Sequence, residues 1–318
     1  MNPRARSERP GRLTLDKVET PRDLVLWAEA RFEGAGLSYG HGTTSAREEA
    51  VFLVFHALAL PFDVPDAVLD QPLLPDPKSR ALALIRERIR TRKPAAYVLG
   101  ECWFAGIELY VDERVLVPRS PIAELIESRF SPWLGDPRRI LDIGTGSGCI
   151  AIACALAFPE AEVDATDISA GALEIARRNA ERHGVRDRVR LLRSDVYESL
   201  AGERYDLIVS NPPYVPAVHL ATLPPEHRHE PSLGLDGGDD GLAIVSRILE
   251  GATEHLTDRG TLVVEAGEAA PAAETRYPRL PFVWLELQRG GEGVFLLEAR
   301  DLDGGVPDQA PRARCLPG

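Results

Sequence analysis

Lysine is almost missing from this chain: Lys17, Lys78 and Lys93 are the only three, and arginine supplies the rest of the positive charge. That bias reads as genome composition and carries no functional message. Long apolar runs are missing too. No stretch reaches the ~18–20 apolar residues that a membrane helix needs, so no such helix is expected. The opening Met1-Asn2-Pro3-Arg4-Ala5-Arg6 has neither the apolar core nor the cleavage site of a signal peptide, which makes a cytoplasmic location the default expectation. Cysteine is scarce. Cys102, Cys149, Cys154 and Cys315 form no Cys-x-x-Cys pair, so reduced and mostly buried thiols are expected. The close pair His227 and His229 has no cysteine near it in sequence, so no metal site is expected. Excess positive charge is also lacking: 37 Lys and Arg face 49 Asp and Glu, for a net charge of −12. Binding to nucleic-acid phosphates needs a basic face. A local patch can hide in the total, but a basic protein partner is at least as plausible as DNA.

What is present is enough chain for two domains, 318 residues with an ordinary 44% hydrophobic share. Residues 1–12 are polar and rich in Arg and Pro, and they read as disordered. Apolar positions at helical spacing follow. Leu24, Leu26, Trp27, Ala30 and Phe32 mark one helix, and Val51, Phe52, Val54, Phe55 and Leu58 a second. Leu82, Ile85 and Ile89 mark a third over 81–91, while the Pro- and Asp-rich stretch Asp63–Pro77 reads as a loop. Residues 13–100 are therefore expected to form a helical domain. Cys102–Val111 and Arg114–Pro118 are short and rich in β-branched and aromatic residues, and Asp112-Glu113 lies between them, which predicts a β-hairpin linker over 101–119. From 120 to 300, short apolar strands alternate with helical stretches. The strands are expected at Ile140–Ile143, Glu162–Ala165, Val189–Leu192, Leu207–Ser210, Thr261–Glu265, Val283–Leu287 and Val294–Glu298, and the helices at Cys149–Ala157, Ala170–His183 and Gly241–His255. This alternation means an α/β fold: a mainly parallel seven-stranded sheet with helices on both faces and its ligand at the carboxyl ends of the strands. Residues 301–318 read as a disordered tail, and no internal repeat is found.

The first of these strands runs into Asp142-Ile-Gly144-Thr145-Gly146-Ser147-Gly148. Alternate glycines allow a tight turn and close approach of a ligand, and the helix start behind them offers free N–H donors. The spacing is Gly-x-Gly-x-Gly rather than Gly-x-Gly-x-x-Gly, and a carboxylate precedes it. An adenosine that bears an amino acid suits that combination better than a pyrophosphate does. Asp167 ends the second strand, where it can accept from both ribose hydroxyls; it could instead only cap the next helix, for which Ser169 is the better candidate. Asp195, after the third strand, can accept from an adenine amino group or simply make a turn, and a backbone group could read the adenine instead. Together these features resemble the class I S-adenosylmethionine-dependent methyltransferases, which implies a Rossmann-like fold and S-adenosylmethionine as cofactor.

The fourth strand ends Ile208-Val-Ser-Asn211-Pro212-Pro213-Tyr214, the most specific signal in the chain. An amide or aromatic amino nitrogen is a poor nucleophile because its lone pair is delocalised. Two acceptors for its N–H groups, the Asn211 side-chain carbonyl and the Pro212 backbone carbonyl, draw it toward sp³. The paired prolines hold the turn rigid, and Tyr214 can stack over a planar group. Transfer from a sulfonium needs no metal; proximity and alignment supply the rate. Asn211, Pro212 and Tyr214 are the candidate catalytic residues, and Asp142, Gly144, Thr145, Gly146, Ser147, Gly148, Asp167, Asp195 and Asn211 the candidate cofactor contacts.

Asn-Pro-Pro-Tyr is shared by base-amino and protein-glutamine methyltransferases. Phe104, Val117-Pro118-Arg119 and His229-Glu230-Pro231 resemble the protein-glutamine family, over about residues 20–299. The resemblance implies substrate contacts at Asn211, Pro212, Pro213, Tyr214 and Phe104, although Phe104 could equally be a buried hairpin residue. Arg119 then braces the hairpin, Glu230 orders a Pro216–Asp240 loop that closes over substrate, and His227 and His229 are loop residues rather than bases. One branch of that family modifies the Gly-Gly-Gln glutamine of release factors and typically reads Pro-Arg-Pro-x-Thr-Glu after the hairpin. This chain departs, reading Pro118-Arg119-Ser120-Pro121-Ile122-Ala123-Glu124-Leu125. With Tyr39-Gly40-His41-Gly42-Thr43 and Trp284-Leu-Glu-Leu before Gly290-Gly291, it resembles the branch that methylates a glutamine on the third protein of the large ribosomal subunit. The implied partner is that basic ribosomal protein, with release factors as the alternative. No membrane or direct nucleic-acid partner is expected, since a basic, aromatic-rich recognition segment is lacking.

Overall fold

The computed structural model describes residues 13–302. The expectation for 1–12, most of that for 301–318, and Cys315 lie outside the described residues. The chain divides into two compact units: residues 13–102 together with Pro224–His229, and residues 103–223 together with 230–302.

The first unit is helical because its apolar residues recur on one side of each helix and its start signals are in place. In α1 (Pro21–Gly34), the Thr20 side chain accepts from Asp23 N–H, the Asp23 carboxylate returns to the Thr20 backbone, and Pro21 takes the first helical position. Helix α2 (Ala46–Leu58) is capped by Ser45. Then follow α3 (Asp66–Leu69), α4 (Pro75–Thr91) and α5 (Ala95–Leu99). Leu24, Phe32, Leu53 and Ile85 are fully buried where α1, α2 and α4 meet. The stretch Asp63–Pro77, expected as a loop, instead holds α3 and the start of α4. Prolines 75 and 77 sit in the first turn of α4, where no intrahelical N–H bond is lost.

After α5 comes a hairpin, β1 (Glu101–Phe104) and β2 (Ile107–Tyr110). Its turn is Ala105-Gly106, with φ of 46° and 77°. Both values are positive, as a two-residue primed turn demands. This corrects the sequence expectation twice: the hairpin does not close at Asp112-Glu113, which instead makes a separate turn with Val115 N–H bonded to the Asp112 carbonyl at 3.1 Å, and residues 116–118 have no ladder partner. After α6 (Ile122–Glu127) comes the alternating region: β3 (Arg139–Ile143), α7 (Cys149–Ala157), β4 (Glu162–Asp167), α8 (Ala170–Arg182), β5 (Val189–Arg193), β6 (Tyr205–Ser210), α9 (Ala217–Leu220), α10 (Ala243–His255), β7 (Leu256–Glu265), α11 (Ala270–Arg276), β8 (Val283–Trp284), β9 (Val294–Glu298) and α12 (Ala299–Leu302).

The seven strands lie in the order β5-β4-β3-β6-β7-β9-β8. The first five are parallel, and β9 runs antiparallel to both β7 and β8. Successive residues of the central strands, Ile140-Leu141 and Leu207-Ile208-Val209, are all fully buried, so the sheet is covered on both faces. Strand β8 is shorter than its apolar run suggests. Beyond Leu285 the chain leaves β9, and the N–H groups of Gln288 and Arg289 donate to the Glu124 carboxylate at 2.9 and 3.0 Å. Asp301 and Leu302, expected to begin a disordered tail, belong to α12, and Leu302 is buried.

Candidate active site

The strand order reverses at β3, with β4 on one side and β6 on the other. In an open parallel sheet that is where the loops diverge and leave a crevice. One pocket of the second unit lies there. It is lined by the turn after β3, the ends of β4 and β5, Asn211 and Pro213 after β6, and the Arg114–Ser120 segment.

Gly144, Gly146 and Gly148 all adopt positive φ (70°, 54° and 81°). A Cβ added at Gly144 or Gly146 would meet nothing within 4 Å, so the space above the turn is open to a ligand. At Gly148 it would come within 3.0–3.2 Å of Ile152 and Ala176, so that glycine lets α7 start close against α8. Asp142 is not in the pocket. It is fully buried beneath the turn, where one oxygen accepts from Thr145 Oγ1 at 2.6 Å and Ala151 N–H at 3.1 Å. Burial pushes its carboxyl pKa up to about 7, partly offset by those two bonds. Its contribution is to staple the turn. Thr145 and Ser147 are themselves buried, and both line the pocket.

Asp167 lines the pocket and also shapes the turn: Oδ2 accepts from Gly146 N–H at 2.9 Å and Oδ1 from Ser169 N–H at 2.8 Å. A carboxylate has about four acceptor positions, so each oxygen keeps capacity for a hydroxyl donor. Burial raises its pKa above the usual carboxylate range. Ser169 makes the cap of α8, accepting from Ala172 N–H at 3.2 Å. Asp195 also lines the pocket, and Arg247 on α10 donates to its Oδ1 at 2.7 Å. Beside it Val196 is held at φ 56°, a strained value for a β-branched residue, while Ser194 Oγ donates to its carbonyl at 3.0 Å.

Ser210 Oγ donates to the Ile143 carbonyl at 2.7 Å and ties the end of β6 to that of β3. Asn211 follows and enters the pocket, and among the described residues its side-chain amide has no hydrogen-bonding partner. Pro212 is buried beneath. Tyr214 points away from the pocket lining. Its ring packs on the core, and its hydroxyl donates to Glu265 Oε1 at 2.7 Å. The loop then folds back on itself, with Val215 N–H bonded to the Leu235 carbonyl and Gly237 N–H to the Val215 carbonyl, both at 2.9 Å.

Phe104 is buried and is not among the lining residues. Arg119 and Glu230, read separately from sequence, form a bidentate ion pair, and Glu230 also accepts from Val117 N–H at 3.2 Å. His229 Nε2 lies 3.0 Å from the Thr91 carbonyl within the first unit. Cys102 and Cys154 are buried free thiols, and burial pushes the Cys149 thiol up to about 12. Sequence reading missed Ser120, Arg247 and Glu265. No local motif marks the first two. Glu265 could have been found by position, because it ends β7 on the same sheet edge as Asp142, Asp167 and Asn211.

The family model of the methyltransferase small domain matches residues 124–222. The ribosomal protein uL3 glutamine methyltransferase of Bordetella pertussis is 46% identical over 290 residues, covering 90% of this chain and 97% of that protein. The enzyme of the same name from Francisella tularensis is 42% identical over 291 residues, covering 91% and 93%. With this identity across nearly the whole length of both relatives, the chain belongs to the ribosomal protein uL3 glutamine methyltransferase family.

Proposed function

We propose that this protein transfers a methyl group from S-adenosylmethionine to the side-chain amide nitrogen of a glutamine in ribosomal protein uL3. The observation that carries the reading is Asn211: an amide with no protein partner among the described residues, set in the pocket whose other walls are the glycine turn, Asp167 and Asp195. The open space over Gly144 and Gly146 fits the amino-acid end of such a cofactor, and the Asp167 oxygens fit its ribose hydroxyls. Asp195, held by Arg247, would accept from the adenine amino group. When bound, the cofactor supplies an electrophilic methyl on a sulfonium. The chain's own part is to hold the acceptor: the Asn211 side-chain carbonyl and the Pro212 backbone carbonyl take the two amide N–H groups. This frees the nitrogen lone pair and aims it. Methylation makes that nitrogen acidic, so its proton leaves without a strong base. The helical unit is assigned to grip the protein substrate, and a chain of net charge −12 suits a basic partner.

The test offers labelled S-adenosylmethionine with purified uL3, release factor and duplex DNA in separate reactions. Label on a glutamine of uL3 is expected. Label on the release factor would keep the chemistry and overturn the substrate; label on DNA alone would overturn both.

A further inference from the structure

We infer that Glu265 is a positioning residue for methyl transfer: by holding the Tyr214 and Ser120 hydroxyls together, it fixes the loop that presents Asn211 and Pro212. The inference rests on the amide-methylation reading above and adds a residue to it.

Glu265 is 5% exposed at the end of β7. Burying a carboxylate is unfavourable unless its oxygens are satisfied, and an apolar residue would hold a strand end better. Among the described residues no cation is seen to hydrogen-bond to it; the Arg119 guanidinium, paired with Glu230, lies near enough for its charge to favour the ionised carboxylate, against the burial that disfavours it. Glu265 instead accepts two hydroxyls, Tyr214 at 2.7 Å and Ser120 at 2.6 Å. Ser120 Oγ in turn accepts from Ile122 N–H at 3.2 Å, at the start of α6. Three segments therefore meet on one carboxylate: the strand end, the Asn-Pro-Pro-Tyr loop and the pocket wall.

The surroundings of Tyr214 are built to the same end. A Cβ at Gly267 would come 2.4 Å from the Tyr214 ring, and one at Gly241 would come 2.3 Å from the Tyr214 carbonyl oxygen. Both glycines sit at positive φ, 46° and 80°. Neither position admits a side chain, so the ring and the backbone of Tyr214 are both enclosed. Gly267 packs against the ring and the hydroxyl is taken, which leaves Tyr214 holding the loop rather than stacking freely. Tyr214 follows Pro212 by two residues, and a shift of about 1 Å in an acceptor is enough to cost ~10²-fold in rate.

The experiment measures cofactor Kd, kcat and KM for uL3 in the wild type, Tyr214→Phe, Glu265→Met, their double variant and Glu265→Gln. Cofactor Kd is expected to stay within about twofold, and kcat to fall about 10–100-fold in each of the first two variants. The double variant should lose no more than either single one, because both break one link. Glu265→Gln should recover most of the loss, since its carbonyl still accepts from Tyr214 while its amide donates to Ser120. Wild-type kcat in Tyr214→Phe, or losses that multiply in the double variant, would overturn the inference. Should Glu265→Met not fold, Tyr214→Phe and Ser120→Ala decide it alone. If the wild type labels a release factor instead of uL3, only the substrate reading falls, and the same variants are compared on that substrate.

Discussion

At the scale of single residues, the two sides of the site are separable. In the proposed reaction Asn211 holds the substrate amide, whereas the glycine turn, Asp167 and Asp195 hold the cofactor. Asn211→Ala is therefore expected to leave S-adenosylmethionine binding intact by calorimetry while kcat falls about 10²–10³-fold, the usual cost of removing one preorganised hydrogen-bonding group. Unchanged turnover would remove Asn211 from the mechanism. Asp142 gives a pH prediction. Its folded pKa is about 7, against an unfolded value near 3.8. The protonated form is thus favoured in the fold, and the stability it gives is fully present below about pH 4 and is lost as pH rises to 7. Asp142→Asn keeps an acceptor for Thr145 and Ala151 and cannot ionise. Its advantage in thermal stability over the wild type, without cofactor, should grow between pH 4 and 7 and level off above, reaching at most about 4 kcal/mol. A flat difference across that range would mean the carboxylate is not desolvated. The sequence made the glycine turn, Asp167 and Asn211 legible because each sits beside a strand end with diagnostic neighbours. Arg247 and Ser120 were not legible, since they reach the site only through tertiary packing.

At the scale of elements, α8 does more than cover the sheet. Asn179 on it is fully buried and reaches two other segments: its amide donates to the Tyr110 and Ser147 carbonyls, each at 2.9 Å, and accepts from Tyr110 N–H at 2.8 Å. The hairpin end and the cofactor turn are thus fastened to one helix side chain. Asn179→Ala would leave three backbone groups unpaired, the Ser147 carbonyl buried and the two of Tyr110 half-buried, so a loss of roughly 2 kcal/mol in denaturant unfolding is expected, with weaker cofactor binding. A stable variant with normal affinity would show that water replaces the amide. Nothing in an Asn amid a helical run announces this function. The hairpin was misplaced for a related reason. Asp112-Glu113 does make a turn, but Ala105-Gly106 carries the positive φ pair that closes the hairpin, and β-branched residues at 115 and 117 are buried as a pocket wall rather than laddered as a strand. The five parallel strands, by contrast, were all placed by their apolar runs, because burial on both faces favours such runs, although β7 begins five residues before its run.

At the scale of the whole chain, the first unit is not completed by its own stretch of sequence. Its helices bury Arg88 entirely, with Glu49 3.0 Å from one nitrogen and the Ser38 carbonyl 3.0 Å from another. The remaining neutralisation comes from Glu226, 138 residues downstream, in the segment Pro224–His229 that follows the Asn-Pro-Pro-Tyr loop. Glu226 is fully buried, accepts from Ser38 N–H at 3.0 Å, lies 2.8 Å from Arg92 and stands 3.6 Å from Arg88. The sequence showed a helical unit and a long loop but not that one supplies the other's counter-charge, since pairing at that separation leaves no local pattern. Removing one member of a buried ion cluster strands the other's charge, a change worth about 3–5 kcal/mol. Arg92 is partly exposed and will be rehydrated, so Glu226→Gln is expected near the lower end, about 3 kcal/mol, in denaturant unfolding of the full chain. Hydrogen exchange should locate the loss: amides of α1, α2 and α4 should lose protection while those of β3 and β6 keep theirs. Equal loss in both units, or a change below about 0.5 kcal/mol, would mean that Glu226 does not stabilise the helical unit.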